Sequence, residues 1–442
     1  MSNEACCKGW DDLPPLTVLA QRAARHGASD RAAPGISRTN TPLPFASLLK
    51  PPKGDWASAP ATDASAVAKG DALPVTGAWR EDEARGPRMY AELGPLPLEG
   101  GGKLPAVRLA YETWGKLNPA RNNAILILHA LTGDSHVAGP AGPGQPTPGW
   151  WAQAVGPKLP LDTDKYFIVA PNVLGGCMGS TGPSSLAPDG REWGSRFPQL
   201  STRDMVRAEA RLADLLGIDQ FAAIVGPSAG GHRAVEWAVT YPERTRTLIL
   251  VATAACTTAE QAAWAHAQIA AIELDPHFNG GDYYHSDEGP VRGLGLAREI
   301  AHTTYRTPLE LDERFGRNRQ GDEEPLAGGR LAVQSYLDYH ARKLAARFDA
   351  GSYRILSKAM ITHDVGRGRG GVAEALARFS GPALVVGVNS DRLFYARDCE
   401  KMAKALPGGR FAQIHTPFGH DGFLIEFAQV NAILAEFMEE LE

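Results

Sequence analysis

The sequence predicts a doubly wound α/β fold: a mostly parallel sheet flanked by helices and interrupted by one long helical lid insertion. Three observations predict it. Short, wholly apolar runs such as AILILH (124–129), FAAIVG (221–226) and TLILVA (247–252) suit strands buried on both faces. Helix-period stretches stand between them, and strands alternating with helices imply a parallel sheet. The alternation then fails between Cys256 and Val372, where charged and aromatic helix-like segments take over.

Taken in order, residues 1–87 are dense in Pro, Ala, Ser, Thr and Gly without a sustained period, and read as a low-complexity, disordered extension. A short helix over 15–26 is its only structural candidate. The core is expected over 88–255 and 373–442. Its strands are 106–115, 124–129, 166–171, 221–226, 247–252, 382–388 and 410–415. Helices are expected over 204–217, where Gly217 supplies the stop, and over 229–240, 398–405 and the final apolar-periodic stretch. Residues 256–372 form the lid. Ligands of open α/β sheets sit at the carboxyl ends of the strands, so a helical insertion after a central strand would cover the site.

Composition excludes several function classes. Of the 442 residues, 43% are hydrophobic and 21% charged, enough for an ordinary globular core. A formal net charge of −5 argues against a nucleic-acid partner. No run approaches the ~18 apolar residues of a membrane span. The N-terminus lacks the layout of a secretory signal. Five scattered cysteines (Cys6, Cys7, Cys177, Cys256, Cys399) suggest neither a disulfide framework nor a metal site, so the expected location is cytoplasmic.

The strongest chemical signal is Gly226-Pro227-Ser228-Ala229-Gly230. It matches G-x-S-x-G, with a strand before it and a helix after it. Such a tight turn lifts the serine above the sheet and sets it at a helix N-terminus, which favours developing negative charge. A serine needs a base, and this arrangement expects the chain order Ser, acid, His. His420, in the loop TPFGHDGF, is the expected base, while His415 reads as the end of a strand. Asp391, the first carboxylate after PALVVGVNS, is the expected acid; Asp349 and Asp364 in the insertion are alternatives. Two backbone donors are needed for an oxyanion. Ala229 N–H follows the nucleophile, and Leu131 N–H lies in the loop after AILIL.

Ten blocks carry a family resemblance: YETWGKLN, ILILHALTGDSHVAG, YFIVAPNVLGGCMGSTGPSS, FPQLSTRDMVRAEARLADLLGI, GPSAGGHRAVEWA, GLGLAREIAHTTYR, DERFGR, HDVGRGRGG, NSDRLF and GHDGFL. From about residue 93 to the C-terminus the chain resembles the homoserine O-acetyltransferases, α/β-hydrolase-fold acyltransferases of methionine biosynthesis. The resemblance implies Ser228 as the acyl-carrying nucleophile with Asp391 and His420. It further implies Arg298 meeting an amino-acid carboxylate, Asp421 meeting its amino group, and Tyr305 assisting. Acetyl-CoA would be the co-substrate, with no bound cofactor or metal, and the enzyme would be a homodimer.

Two departures stand out. The family usually reads G-G-S-M-G-G-M at the elbow, where this chain has Ala229 and His232; this leaves the triad chemistry intact and enlarges the space beside it. The long head is foreign to the family core. The expected activity is acetyl transfer to L-homoserine. O-acylation of L-serine or another alcohol, or hydrolysis by an esterase or thioesterase of the same fold, are the alternatives.

Overall fold

A computed structural model describes residues 73–440. The helix expected over 15–26 lies outside the described residues, as does the expected extension up to residue 72.

Ten strands are described: β1 (Met89–Pro97), β2 (Lys103–Trp114), β3 (Ala124–Ile127), β4 (Val155–Gly156), β5 (Leu161–Asp162), β6 (Phe167–Pro171), β7 (Ala223–Pro227), β8 (Leu248–Val251), β9 (Pro382–Val388) and β10 (Gly408–Ile414). Eight of them form the main sheet in the order β1-β2-β6-β3-β7-β8-β9-β10, while β4 and β5 pair separately. From β6 to β10 every pairing is parallel; β1–β2 and β2–β6 are antiparallel. The central strands β3, β7 and β8 are buried along their whole length. That is what their unbroken apolar runs require, because helices cover both faces.

Before the insertion, the helices on the sheet are α1 (Thr202–Leu216) and α2 (Ala229–Thr240). Ser201 and Asp204 close a capping box at the start of α1, and Gly217 ends it in the left-handed conformation. The insertion supplies α3 (Ala259–Glu273), α4 (Val291–Tyr305), α5 (Pro308–Phe315), α6 (Ala332–Ala345) and α7 (Ala350–Ile361), and α8 (Val372–Leu376) leads back to the core. After β9 come α9 (Ala396–Ala405), α10 (Gly422–Ile425) and α11 (Phe427–Glu439). The last expected helix is therefore two, broken at Glu426. No helix among the described residues is long and apolar enough to cross a membrane.

Two features differ from expectation. β1 was not expected. Its MYAELGPLP has little alternation, and its pairing with β2 shifts register at Glu92/Gly94 and again at Gly94/Leu96, so period-2 reading fails there. Residues 73–87, expected in the extension, are irregular but tied down. Gly77 N–H donates to Phe348 O (3.2 Å), Trp79 N–H to Cys177 O (3.0 Å) and Thr76 Oγ1 to Asp349 Oδ1 (2.9 Å). Composition misses such a segment because partners remote in sequence satisfy its backbone.

Candidate active site

The site grows from the turn between β7 and α2. Ser228 has φ 52° and ψ −126°, a left-side conformation that non-glycine residues rarely adopt. The surroundings hold it there. Ser228 N–H donates to Val251 O (2.9 Å), while Ser228 O accepts from Gly231 N–H (2.8 Å) and from Thr253 Oγ1 (2.7 Å). A side chain at Gly230 would collide with the Leu128 carbonyl, so α2 approaches the end of β3 closely only because this residue is glycine. The Ser228 side chain thus stands at the carboxyl end of β7.

His420 comes from the loop after β10. Its Nε2 is 2.9 Å from Ser228 Oγ, and its Nδ1 is 2.7 Å from Asp391 Oδ2. The carboxylate fixes the tautomer: Nδ1–H donates to Asp391 and Nε2 accepts from the serine hydroxyl. Asp391 follows β9, and its other oxygen accepts from Leu393 N–H (2.7 Å) and Phe394 N–H (2.9 Å). All three side chains are buried. Burial alone would depress the His420 pKa. The Asp391 carboxylate, by charge and hydrogen bond, and then Asp421 outweigh it and leave the imidazole above its ordinary value. The structure therefore brings together the three residues expected from the sequence. Asp349 and Asp364 are elsewhere: Asp349 caps α7, and Asp364 bridges to Cys256.

The two expected backbone donors belong to Leu131 and Ala229. Both residues line the same pocket. Neither N–H has an acceptor among the described residues; Ala229 is the first residue of α2, where an N–H has no intrahelical partner. The Leu131 loop is pinned by His129, which sequence reasoning passed over. Its Nδ1 donates to Ala130 O (2.7 Å) and its Nε2 accepts from Val173 N–H (3.1 Å). Burial, with help from the Arg233 charge, pulls the His129 pKa down to about 3, so it stays neutral in that role. Arg233 in turn donates to the His129 carbonyl (2.7 Å) and pairs with buried Glu209 of α1.

The insertion meets this loop through the end of α4. The Tyr305 ring lies 5.6 Å from the His420 ring, and the Arg298 guanidinium lies 5.5 Å from the Tyr305 centroid. Gly419 has φ +65°, and a side chain there would strike the Tyr305 carbonyl. Thr307 Oγ1 donates to Pro417 O (2.6 Å). Arg298 makes no ion pair or hydrogen bond among the described residues, yet its charge is felt at Asp421. The structure thus gathers Arg298, Tyr305 and Asp421 around His420. It also adds a residue that the sequence reading missed. Arg306 Nε is 3.5 Å from Asp421 Oδ2 and 3.3 Å from the Tyr336 hydroxyl. The only signal for it was its place directly after Tyr305.

Comparisons with known proteins place the fold and the family. Residues 123–427 match the model of the alpha/beta hydrolase fold. The chain is 60% identical over 371 residues to homoserine O-acetyltransferase of Thermobifida fusca, covering 83% of this chain and 98% of that one. Among solved structures it resembles homoserine O-acetyltransferase from Bacillus anthracis (28% identity, TM-score 0.74, covering 79% of this chain and 97% of that one). It resembles esterase E22 to the same degree (26% identity, TM-score 0.74, covering 79% and 99%). With the fold, the coverage and the identity together, the chain belongs to the homoserine O-acetyltransferase family of α/β hydrolases.

Proposed function

We propose that this protein moves an acetyl group from acetyl-CoA to the side-chain hydroxyl of L-homoserine, a step of methionine biosynthesis, through an acyl-enzyme on Ser228. His420 Nε2 takes the Oγ proton as the serine attacks the thioester carbon. The oxyanion is held by the Leu131 and Ala229 N–H groups. The C–S bond breaks, and the CoA thiolate leaves with the proton from His420. The acceptor hydroxyl then gives its proton to the same nitrogen and attacks the ester carbonyl. Ser228 departs, regaining the proton. Asp391 holds the imidazole in the required tautomer and stabilises it when charged. This chemistry needs no resident metal or prosthetic group.

The observation that carries the acceptor assignment is Arg298: a guanidinium at the site with no carboxylate of its own among the described residues. An amino-acid carboxylate fits it as a bidentate partner. Asp421 would meet the ammonium at the other end of the zwitterion, exchanging part of its contact with Arg306. Water, the acceptor of an esterase, brings no such pair of charges to read. In the same reading, the insertion 256–372 acts as a lid that keeps water from the acyl-enzyme. The chain works as a cytoplasmic homodimer.

The test mixes purified protein with a panel of acyl-CoAs and water, L-homoserine, L-serine or larger alcohols, following CoA release and product mass. Fast CoA release only with L-homoserine is expected. Release indifferent to any amino acid would replace the transferase by a hydrolase.

A further inference from the structure

His232 lies one turn beyond Ala229 on α2 and is 2% exposed. Its ring borders two cavities at once. One is lined also by Leu131 and Ala229, the residues of the proposed oxyanion donors; the other opens between the core and the insertion, past Tyr305, Trp264 and Phe394. The ring is clamped. It stacks on His363 (centroids 4.1 Å, planes 12° apart) and meets Phe394 edge-on (5.7 Å). Both of its nitrogens are buried without a hydrogen-bond partner. No bond of its own therefore holds the imidazole in this place; packing does.

Resting on the acyl-enzyme reading above, we propose that His232 is the residue that limits the acyl group to acetyl. Ala229 directly follows Ser228, so an acyl group on Ser228 whose carbonyl oxygen reached the Leu131 and Ala229 amides would extend toward the cavity that these two residues line with His232. Ala229 contributes only a methyl group there, so the imidazole is the wall. The methyl of an acetyl group fits in front of it. A propionyl or butyryl chain would have to displace a ring held between His363 and Phe394, and close-packed interiors do not yield that much room without cost. Burial holds the ring in its neutral form, consistent with a wall and not a proton carrier.

The experiment measures acylation of Ser228 by acetyl-, propionyl- and butyryl-CoA, by intact-protein mass and by CoA release. It compares wild type with His232→Ala, His232→Val and His232→Phe. Opening the wall with Ala or Val should raise the butyryl-to-acetyl ratio of kcat/KM by about tenfold or more, the discrimination that even one methylene commands in an apolar pocket. Phe, an apolar ring of similar size, should leave the ratio at the wild-type value, because no hydrogen bond is lost. An unchanged ratio in both Ala and Val, with Ser228 still acylated by acetyl-CoA, would overturn the proposal. So would a tenfold loss of acetyl preference in the Phe variant, which would mean that the ring nitrogens engage the donor. Absence of Ser228 acylation by any thioester in the wild type would overturn the acyl-enzyme reading itself, and this proposal with it.

Discussion

Arg306 Nε lies 3.5 Å from Asp421 Oδ2, so the carboxylate next to His420 already faces a cation before any substrate arrives. Burial pushes the Asp421 pKa up, and Arg306, then His420 and Arg298, pull it back part of the way. Arg306→Gln removes the largest of these opposing charges. Asp421 should then protonate at higher pH and lose its attraction for an ammonium group. The expected result is a rise in acceptor KM equivalent to about 2 kcal/mol, larger at pH 6 than at pH 8. Acylation by acetyl-CoA alone should change far less. Steady-state and single-turnover kinetics separate the two; equal losses in both halves would remove Arg306 from acceptor binding.

The pH dependence follows from His420. A general base must be neutral, so activity should rise with pH through the imidazole pKa. That pKa is raised, so the acid limb of kcat/KM should centre above the ordinary histidine value of about 6.5. Asp421 is one of the charges that stabilise the imidazolium. Asp421→Asn should therefore move the acid limb of the acylation step to lower pH. A limb that stays put or moves upward would show that Asp421 does not act on His420.

Ser228 gives a prediction that couples stability to activity. Ser228→Ala and Ser228→Gly should each lower acyl transfer by at least about 10³-fold, since each deletes the nucleophile. The two should differ in stability. Alanine keeps a Cβ at φ 52°, whereas glycine relieves that strain. Ser228→Gly should be the more stable by about 1 kcal/mol, readable in denaturant midpoints. Equal midpoints would mean that the elbow stores no such strain.

Much of this architecture is legible in the sequence because its signals are local. The runs around Ile125, Ile224 and Ile249 are apolar throughout, and only strands covered on both faces look like that. G-x-S-x-G between a strand and a helix places Ser228 without any tertiary information. His420 and Asp391 follow from chain order, each lying just past a late strand. What stays hidden depends on contacts between distant residues. The pairing of Arg306 with Asp421 joins α4 to the loop after β10. Thr76 is tied to Asp349 across 273 positions. His129 fixes the Leu131 loop only because Val173 N–H arrives from β6's end. Propensity and period are blind to all three.

Arg298 provides the test of acceptor recognition. It has no carboxylate partner among the described residues, so substituting it strands no buried acid. Arg298→Lys keeps a positive charge but loses the planar fork that matches a carboxylate. Lys should raise the homoserine KM, and Gln should raise it further, up to about 2–5 kcal/mol in kcat/KM. Neither should alter the rate at which acetyl-CoA labels Ser228. A Gln variant with wild-type KM would leave the acceptor carboxylate without a reader.

The segment 73–87 closes a buried cluster around Asp349. Asp349 is fully buried and accepts from Thr76 Oγ1, Tyr283 OH (2.6 Å), Tyr284 OH (3.1 Å) and Ser352 N–H (2.7 Å). Thr76 thus completes a cluster at the start of α7, beside the Gly77-to-Phe348 backbone bond. A chain starting at Leu73 retains these contacts; one starting at Pro87 loses them and uncovers Asp349. Relative to the first, the second should lose about 2–3 kcal/mol, at about 1 kcal/mol for each hydrogen bond removed. Thr76→Val in the full chain should cost only about 1 kcal/mol, because Asp349 keeps its other three donors. If the chain starting at Pro87 matched the one starting at Leu73, these contacts would contribute nothing to the fold.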